Sequence, residues 1–272
     1  MTTLRAVVLG VLQGAGEFLP ISSSGHLIVL PFLMGWPDSG LAFDVALHLG
    51  TLAAVAFAFW RDWLRLLKGG LRGLASRRPL ADPDARLLVY LALATLPGAV
   101  AGLLLDEWAE TVFRSPALVA LMMALMGVVL WLADRRSGTA GEGEVVRLRD
   151  ALLIGLAQAL AIVPGTSRSG ATISMALFLG HKREAAARFS FLLALPITAG
   201  AALVKVPDLV ASGAELRPVF LGMLAAAVSG FVAIRFLLRY VRTRSYAPFV
   251  WYRFAFALVA LVVLFLRYSQ VG

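Results

Sequence analysis

The sequence predicts an all-α integral membrane protein with six transmembrane helices and two re-entrant helix–loop–helix hairpins. Three observations lead to this fold class. The 272 residues are 60% apolar and 15% charged, with a mean hydropathy of +0.84, and water could not solvate such a surface. Six runs are long and apolar enough to cross a bilayer. Two further apolar regions are interrupted in the middle by proline, glycine and polar residues.

The predicted spans cover about 43–60, 86–105, 117–133, 187–206, 219–238 and 249–267. The interrupted regions cover about 4–34 and 151–180. Regular helix is stopped there at Pro20, Gly25, Pro164, Gly165 and Gly170. Each half of such a region forms roughly 20 Å of helix, which is too short to span a bilayer. Non-helical backbone at that depth must be buried in protein or line a wet cavity, so both regions are predicted to be re-entrant.

The two interrupted regions also resemble each other. A shift of 145 positions superposes Gly10 on Gly155, Gln13 on Gln158, Ser22 on Ser167, Ser24 on Ser169 and Gly25 on Gly170. Three predicted spans separate the regions, so they enter from opposite faces and form an inverted-topology repeat. We expect one membrane domain over 1–272, with repeat 1 at about 1–133, a cytoplasmic loop at about 134–150 and repeat 2 at about 151–272.

The net charge of +9 is explained by membrane topology. Seventeen lysines and arginines fall on one side of the predicted spans and five on the other, so the richer side is cytoplasmic and both termini lie outside. No basic–aromatic stripe indicates a nucleic-acid partner, and no cleavable signal peptide is predicted. The absence of cysteine excludes disulfides and thiolate metal sites. The segments 68–85 and 134–148 are predicted loops, and Arg235 and Arg253 are expected to snorkel at helix ends.

The first interrupted region carries the predicted metal ligands. Gln13 and Glu17 are four residues apart and therefore project from one helix face. An amide oxygen and a carboxylate suit a hard cation such as Mg²⁺ or Ca²⁺. Asp44 and His48, also four apart, allow two interpretations: a second metal pair or, preferably, a structural contact.

The same region offers a phosphate cradle. Ser22, Ser23, Ser24 and Gly25 open the second half-helix, where hydroxyls and backbone N–H groups can bind phosphate. His26, in the first turn, can act as a general base, a general acid or a phosphoryl acceptor. Serine-rich turns also serve simply as helix caps, and that alternative applies to Ser22.

The second interrupted region supplies an anion clamp. It is formed by Thr166, Ser167, Arg168, Ser169 and Gly170. Arg168 can bind phosphate oxygens in a bidentate manner, or neutralise Glu17 across the repeat interface, or do both. The repeats have specialised, because Ile162 stands opposite Glu17 and Ala171 opposite His26. A hard cation, a phosphate cradle and an arginine within a membrane indicate either a lipid phosphatase or a transporter of a phosphate-bearing lipid.

Two strings carry a family resemblance. Gln13-x-x-x-Glu17-Phe-Leu-Pro-Ile-Ser-Ser-Ser-Gly-His26 and Pro164-Gly-Thr-Ser-Arg168-Ser-Gly resemble the signatures of the bacterial undecaprenyl-diphosphate phosphatase family, also called the bacitracin-resistance protein family. The resemblance implies hydrolysis of undecaprenyl diphosphate to undecaprenyl phosphate, which carries cell-wall precursors. It also implies a divalent cation, resistance to bacitracin and a place in the bacterial plasma membrane.

The resemblance also implies residue roles. The metal motif falls on Gln13 and Glu17, where the family accepts Glu or Gln at the first position, and the phosphate-binding arginine falls on Arg168. Two mechanisms stay open: Ser23 as nucleophile with His26 as its partner, or attack by water with His26 as acid or base. A flippase or transporter of polyprenyl phosphate is the alternative function. A hairpin that enters from outside favours a site reached from the outer face, and a homodimer is left open.

Overall fold

The computed structural model describes residues 2–37, 39–77, 80–137, 146–211, 213 and 215–269. These residues are helical with no strand among them, which confirms the predicted all-α class. The helices are α1 Thr3–Phe18, α2 Ser23–Met34, α3 Gly40–Ala58, α4 Trp60–Ala75, α5 Pro83–Leu104, α6 Asp106–Glu110, α7 Pro116–Arg136, α8 Leu148–Ala159, α9 Arg168–Phe178, α10 Arg183–Ala211, α11 Leu216–Tyr240 and α12 Ala247–Ser269. Much of the predicted loop at 134–150 lies outside the described residues.

Five of these helices, α5, α7, α10, α11 and α12, are long and apolar enough to cross a membrane, and α3 together with α4 is a sixth candidate. The chain bends by 73° between α3 and α4. The prediction of a loop at 68–85 is wrong for residues 68–75 and 83–85, because α4 ends at Ala75 and α5 begins at Pro83. Helix α4 is amphipathic, with exposed leucines on one face and basic residues on another.

An acidic residue missed by the sequence analysis joins three helices at one end. Asp134 accepts hydrogen bonds from Arg183 Nε at 2.6 Å and from the backbone N–H of Tyr246 at 3.0 Å. It thereby connects the end of α7 to the starts of α10 and α12. Burial raises the pKa of the Tyr246 phenol, which stays protonated and donates to the Arg183 carbonyl at 3.3 Å.

The breaks between α1 and α2 and between α8 and α9 have the same local geometry. Ser22 and Ser167 both have a φ of +70° and both are helix N-caps. Their hydroxyls accept from the N–H groups of Gly25 and Gly170, at 3.3 and 3.1 Å. Positive φ in a non-glycine residue costs about 1–3 kcal/mol and is retained where the surroundings enforce it. The offset of 145 in the sequence is thus also a structural match.

The first helix of each half packs on a helix of the other half. Helix α1 lies against α11, and α8 lies against α5. The matched glycines allow both approaches, because a Cβ at Gly10 would lie 2.3 Å from the Gly222 carbonyl oxygen and one at Gly155 would lie 2.4 Å from that of Ala94. Small residues at such crossings let helix backbones pack closely within a membrane. The two interrupted regions are therefore fixed by reciprocal contacts.

We predict that Gly10→Ala destabilises the protein by about 1–3 kcal/mol, because the added methyl must push α1 away from α11. Gly102→Ala is the matched control in α5, where nothing lies within 4 Å of the new Cβ, and it gains up to about 1 kcal/mol of helix propensity. Thermal unfolding in detergent measures both. Equal melting temperatures for the two variants would contradict the close approach.

Candidate functional site

The two interrupted regions meet at a buried carboxylate. Glu17 Oε2 accepts from Ser23 Oγ at 2.8 Å and from Gln13 Nε2 at 3.2 Å. Glu17 Oε1 accepts from Arg168 Nε at 3.2 Å. Only 8% of the Glu17 side chain and 12% of that of Arg168 are exposed. The structure therefore brings the predicted metal ligands, the serine and the arginine into one cluster.

Two donors beside the break in the second region, on Thr166 and Arg168, are buried without a partner among the described residues. The Arg168 guanidinium donates through Nη1 to the Ser190 carbonyl at 2.9 Å, whereas Nη2 has no hydrogen-bond partner among the described residues. The buried hydroxyl of Thr166 is likewise unpaired within that part of the chain. Unsatisfied buried groups of this kind call for an explanation, such as a missing ion or ligand. A phosphate oxygen would accept a hydrogen bond from each of them.

His26 is held by groups other than Ser23. Its Nδ1 lies 2.7 Å from the Ser22 carbonyl, and its Nε2 lies 2.6 Å from the Tyr252 hydroxyl. A carbonyl only accepts, so Nδ1 carries hydrogen, and in the neutral ring Nε2 accepts from Tyr252. The ring also packs on Phe256, with centroids 4.3 Å apart. Sequence reasoning missed Tyr252, because it lies in an unbroken apolar span with no motif around it.

The residues Asp44 and His48 point to different partners. The Asp44 carboxylate accepts from Arg114 Nη1 at 2.9 Å. His48 Nδ1 donates to the Asp44 carbonyl at 2.7 Å, and its Nε2 lies 3.6 Å from Glu17 Oε2. The structural interpretation thus fits Asp44, and His48 belongs to the Glu17 cluster.

The prediction that Arg253 snorkels is wrong. Its side chain is fully buried and donates to four carbonyl oxygens: Met123 at 3.0 Å, Pro20 at 3.1 Å, Gly165 at 2.7 Å and Thr166 at 3.2 Å. Carbonyls of non-helical backbone have no helix partner, and buried ones need a donor. One guanidinium, which carries five N–H groups, therefore connects both interrupted regions to α7 through these hydrogen bonds. No sequence motif distinguishes this arginine from one at a helix end.

Fold and cluster together define a multi-pass membrane protein with a buried ion pair where two helix breaks meet. Comparison with known proteins identifies the family. The chain belongs to the family described as bacitracin resistance protein BacA, whose model matches residues 6–259. The resemblance seen in the two motifs is thereby confirmed.

Several relatives match over nearly their whole length. The undecaprenyl-diphosphatase of Moorella thermoacetica is 51% identical over 267 residues, covering 98% of this chain and 100% of the relative. Those of Pelotomaculum thermopropionicum and Geobacter sulfurreducens are each 48% identical, over 264 and 271 residues. They cover 97% and 98% of this chain, and 97% and 100% of the respective relative.

We predict that Arg253→Met lowers the free energy of unfolding by about 3 kcal/mol or more, since each buried acceptor left unpaired costs about 1–3 kcal/mol. Arg235→Met is the matched control, because that arginine also lies in an apolar helix but is exposed, so its loss changes stability by about 0.5 kcal/mol at most. Chemical unfolding in detergent checks both variants. Equal stability of the two would show that the carbonyl contacts of Arg253 do not hold the site.

Proposed function

We propose that this protein hydrolyses undecaprenyl diphosphate to undecaprenyl phosphate and inorganic phosphate. The reaction would recycle the lipid carrier of peptidoglycan synthesis and confer resistance to bacitracin. Family membership and the relatives' name, undecaprenyl-diphosphatase, support the reaction. The observation that carries the proposal is the contact between Glu17 and Arg168, which unites acid–base and anion-binding groups from the two halves.

The diphosphate would bind between the starts of α2 and α9. Arg168 Nη2 and the Thr166 hydroxyl are buried without partners in the described structure, and both can donate to phosphate oxygens. The N–H groups at the starts of these helices add further donors, in the turns of Ser22–Gly25 and Ser167–Gly170. Arg253 adds a positive charge, and its four hydrogen bonds to described residues all go to carbonyl oxygens. The site therefore favours an anion.

The geometry supports Ser23 as the nucleophile, with Glu17 rather than His26 as its base. Ser23 Oγ already donates to Glu17 Oε2 at 2.8 Å. In the proposed step the Ser23 Oγ–P bond forms, the bridging P–O bond breaks, and the proton of Ser23 passes to Glu17. Undecaprenyl phosphate leaves, and water then hydrolyses the phosphoserine to release phosphate. His26 would hold the cap of α2 in place through the Ser22 carbonyl; direct attack by water with His26 as acid or base is the rival mechanism.

The divalent cation, Mg²⁺ or Ca²⁺, would be held by Gln13 and Glu17. The residues fit this role, because the amide oxygen of Gln13 is buried and has no partner in the described structure. One carboxylate is enough for a cation that is also bound by substrate phosphates. When bound, the cation would supply charge neutralisation on the diphosphate.

The proposed membrane arrangement is the inverted repeat of two re-entrant hairpins in one domain. Supporting observations are the matched helix breaks, the reciprocal packing of α1 and α8, and the excess of basic residues on one side. Both termini would lie outside a bacterial plasma membrane, and the lipid would reach the site from the outer face. In this arrangement the contact between Glu17 and Arg168 would hold both breaks at one depth.

We predict that the purified protein in detergent with Mg²⁺ releases phosphate from a polyprenyl diphosphate. Arg168→Ala should lower kcat by about 10²–10³-fold, as expected for the loss of a preorganised donor to developing charge, and Ser23→Ala should also be nearly inactive. Arg235→Ala, at an exposed position, should keep the wild-type rate. A wild-type rate in Arg168→Ala would show that Arg168 does not stabilise the reacting phosphate.

The transporter alternative is separated from hydrolysis by a second assay on the same preparation. A flippase would move labelled polyprenyl phosphate between the leaflets of sealed vesicles and release no phosphate. The inverted repeat also suits alternating access, so lipid movement without hydrolysis would overturn the enzymatic proposal.

We predict that Thr2→Cys is labelled by a membrane-impermeant maleimide in spheroplasts, whereas Ser76→Cys is labelled only after lysis. The chain has no cysteine of its own, and both positions are exposed, so the two variants differ only in the side of the membrane. Labelling of both from the same side would exclude the proposed topology.

A further inference from the structure

A third potential ligand lies beside Glu17. His48 Nδ1 donates to the Asp44 carbonyl at 2.7 Å, and this bond leaves the lone pair of the neutral ring on Nε2. That nitrogen lies 3.6 Å from Glu17 Oε2. A positive charge between the two atoms would make this contact favourable, and either a proton on Nε2 or a bound cation can supply it.

We propose that His48 Nε2, Glu17 Oε2 and Gln13 Oε1 together form the cation site of this chain. The inference rests on the proposed function and adds a nitrogen ligand to it. Gln13 is fully buried, its amide nitrogen donates to Glu17, and its oxygen has no partner in the described structure. Ligand atoms that each lie about 2.0–2.2 Å from one cation are at most about 4.4 Å apart. The 3.6 Å between His48 Nε2 and Glu17 Oε2 satisfies this limit.

The surroundings hold His48 as metal-binding histidines are usually held. The second ring nitrogen of such a histidine normally donates to a carbonyl or a carboxylate, which fixes the ring. Here the acceptor is the carbonyl of Asp44, whose side chain is itself held by Arg114 at 2.9 Å. Arg168, the other charged group facing Glu17, contacts Oε1 rather than Oε2.

The exposure of His48 gives the cation an entrance. Asp44 and Thr51, one turn away on either side of the same helix face, are only 6% and 1% exposed, whereas 34% of the His48 side chain is accessible.

The second half of the chain lacks this donor set. Gln158 matches Gln13 and also has an unpaired amide oxygen among the described residues. At the offset of 145 positions, however, Ile162 replaces Glu17 and Leu193 replaces His48. The carboxylate and the imidazole are thus both absent from the matched positions 162 and 193, as expected if they serve one ligand.

An imidazole nitrogen changes which cation the site prefers. Oxygen-only sites suit Mg²⁺ and Ca²⁺, whereas imidazole favours transition metals, with affinity rising from Mn²⁺ through Co²⁺ to Zn²⁺. We therefore expect this chain to bind Mn²⁺ and Zn²⁺ more tightly than Mg²⁺.

Mn²⁺ serves as the probe, because pulsed electron paramagnetic resonance detects nitrogen bound directly to it. We expect the full-length protein in nanodiscs to bind Mn²⁺ with a ¹⁴N coupling and to release it to Zn²⁺. His48→Gln should lose the coupling and bind Mn²⁺ about tenfold or more weakly. His48→Asp should bind Mn²⁺ without the coupling and gain affinity for Mg²⁺ relative to Mn²⁺. His181→Gln, which changes the histidine paired with Asp150, is the matched control and should retain the coupling.

Three results would each overturn the inference: the wild type does not bind Mn²⁺, its bound Mn²⁺ shows no ¹⁴N coupling, or His48→Gln retains the coupling. A melting temperature for each variant excludes unfolding as the cause. If the wild-type protein releases phosphate but its bound Mn²⁺ shows no ¹⁴N coupling, His48 is not a metal ligand and the proposed function stands. If the ¹⁴N coupling is present but no cation supports phosphate release, the proposed function is rejected and the metal site stands.

Discussion

The ion pair between Glu17 and Arg168 is the interaction on which the arrangement of the two halves depends. Either charge alone, buried in apolar surroundings, would cost several kcal/mol, so the two are stable only in contact. That contact requires both interrupted regions to lie at one place. Arg253 then satisfies the carbonyls that the two breaks leave free, at Pro20, Gly165 and Thr166. One ion pair and one buried guanidinium thus make irregular backbone tolerable within a membrane protein.

The two interrupted regions share one local scaffold and differ in the side chains that it carries. The scaffold is the serine cap with positive φ, present at Ser22 and Ser167, and the close helix crossing at Gly10 and Gly155. On it, the first half places a carboxylate and hydroxyls, and the second half places a guanidinium with unpaired donors. The contact between Glu17 and Arg168 therefore joins groups that come from different interrupted regions.

Local periodicity and motif spacing were enough to predict the helix breaks and the contacts within one helical turn from the sequence alone. The two helix breaks were predictable from proline and glycine, and the meeting of Gln13 with Glu17 from their separation by one helical turn. Contacts between distant segments were not predictable. The hydrogen bond from Tyr252 to His26 joins residues 226 positions apart. The carbonyl oxygens that accept from Arg253 belong to three separate segments of the chain. A side chain in an apolar run carries no local signal of whether it reaches the membrane surface or a buried partner.

A structure determined in lipid nanodiscs with a methylene-bridged, uncleavable polyprenyl diphosphonate tests the central claim most directly. The account predicts that the headgroup lies between the turns of α2 and α9, with a phosphonate oxygen on Arg168 Nη2 and Ser23 Oγ facing the terminal phosphorus. A headgroup bound by only one of the two turns, or outside the Glu17–Arg168 cluster, would contradict it.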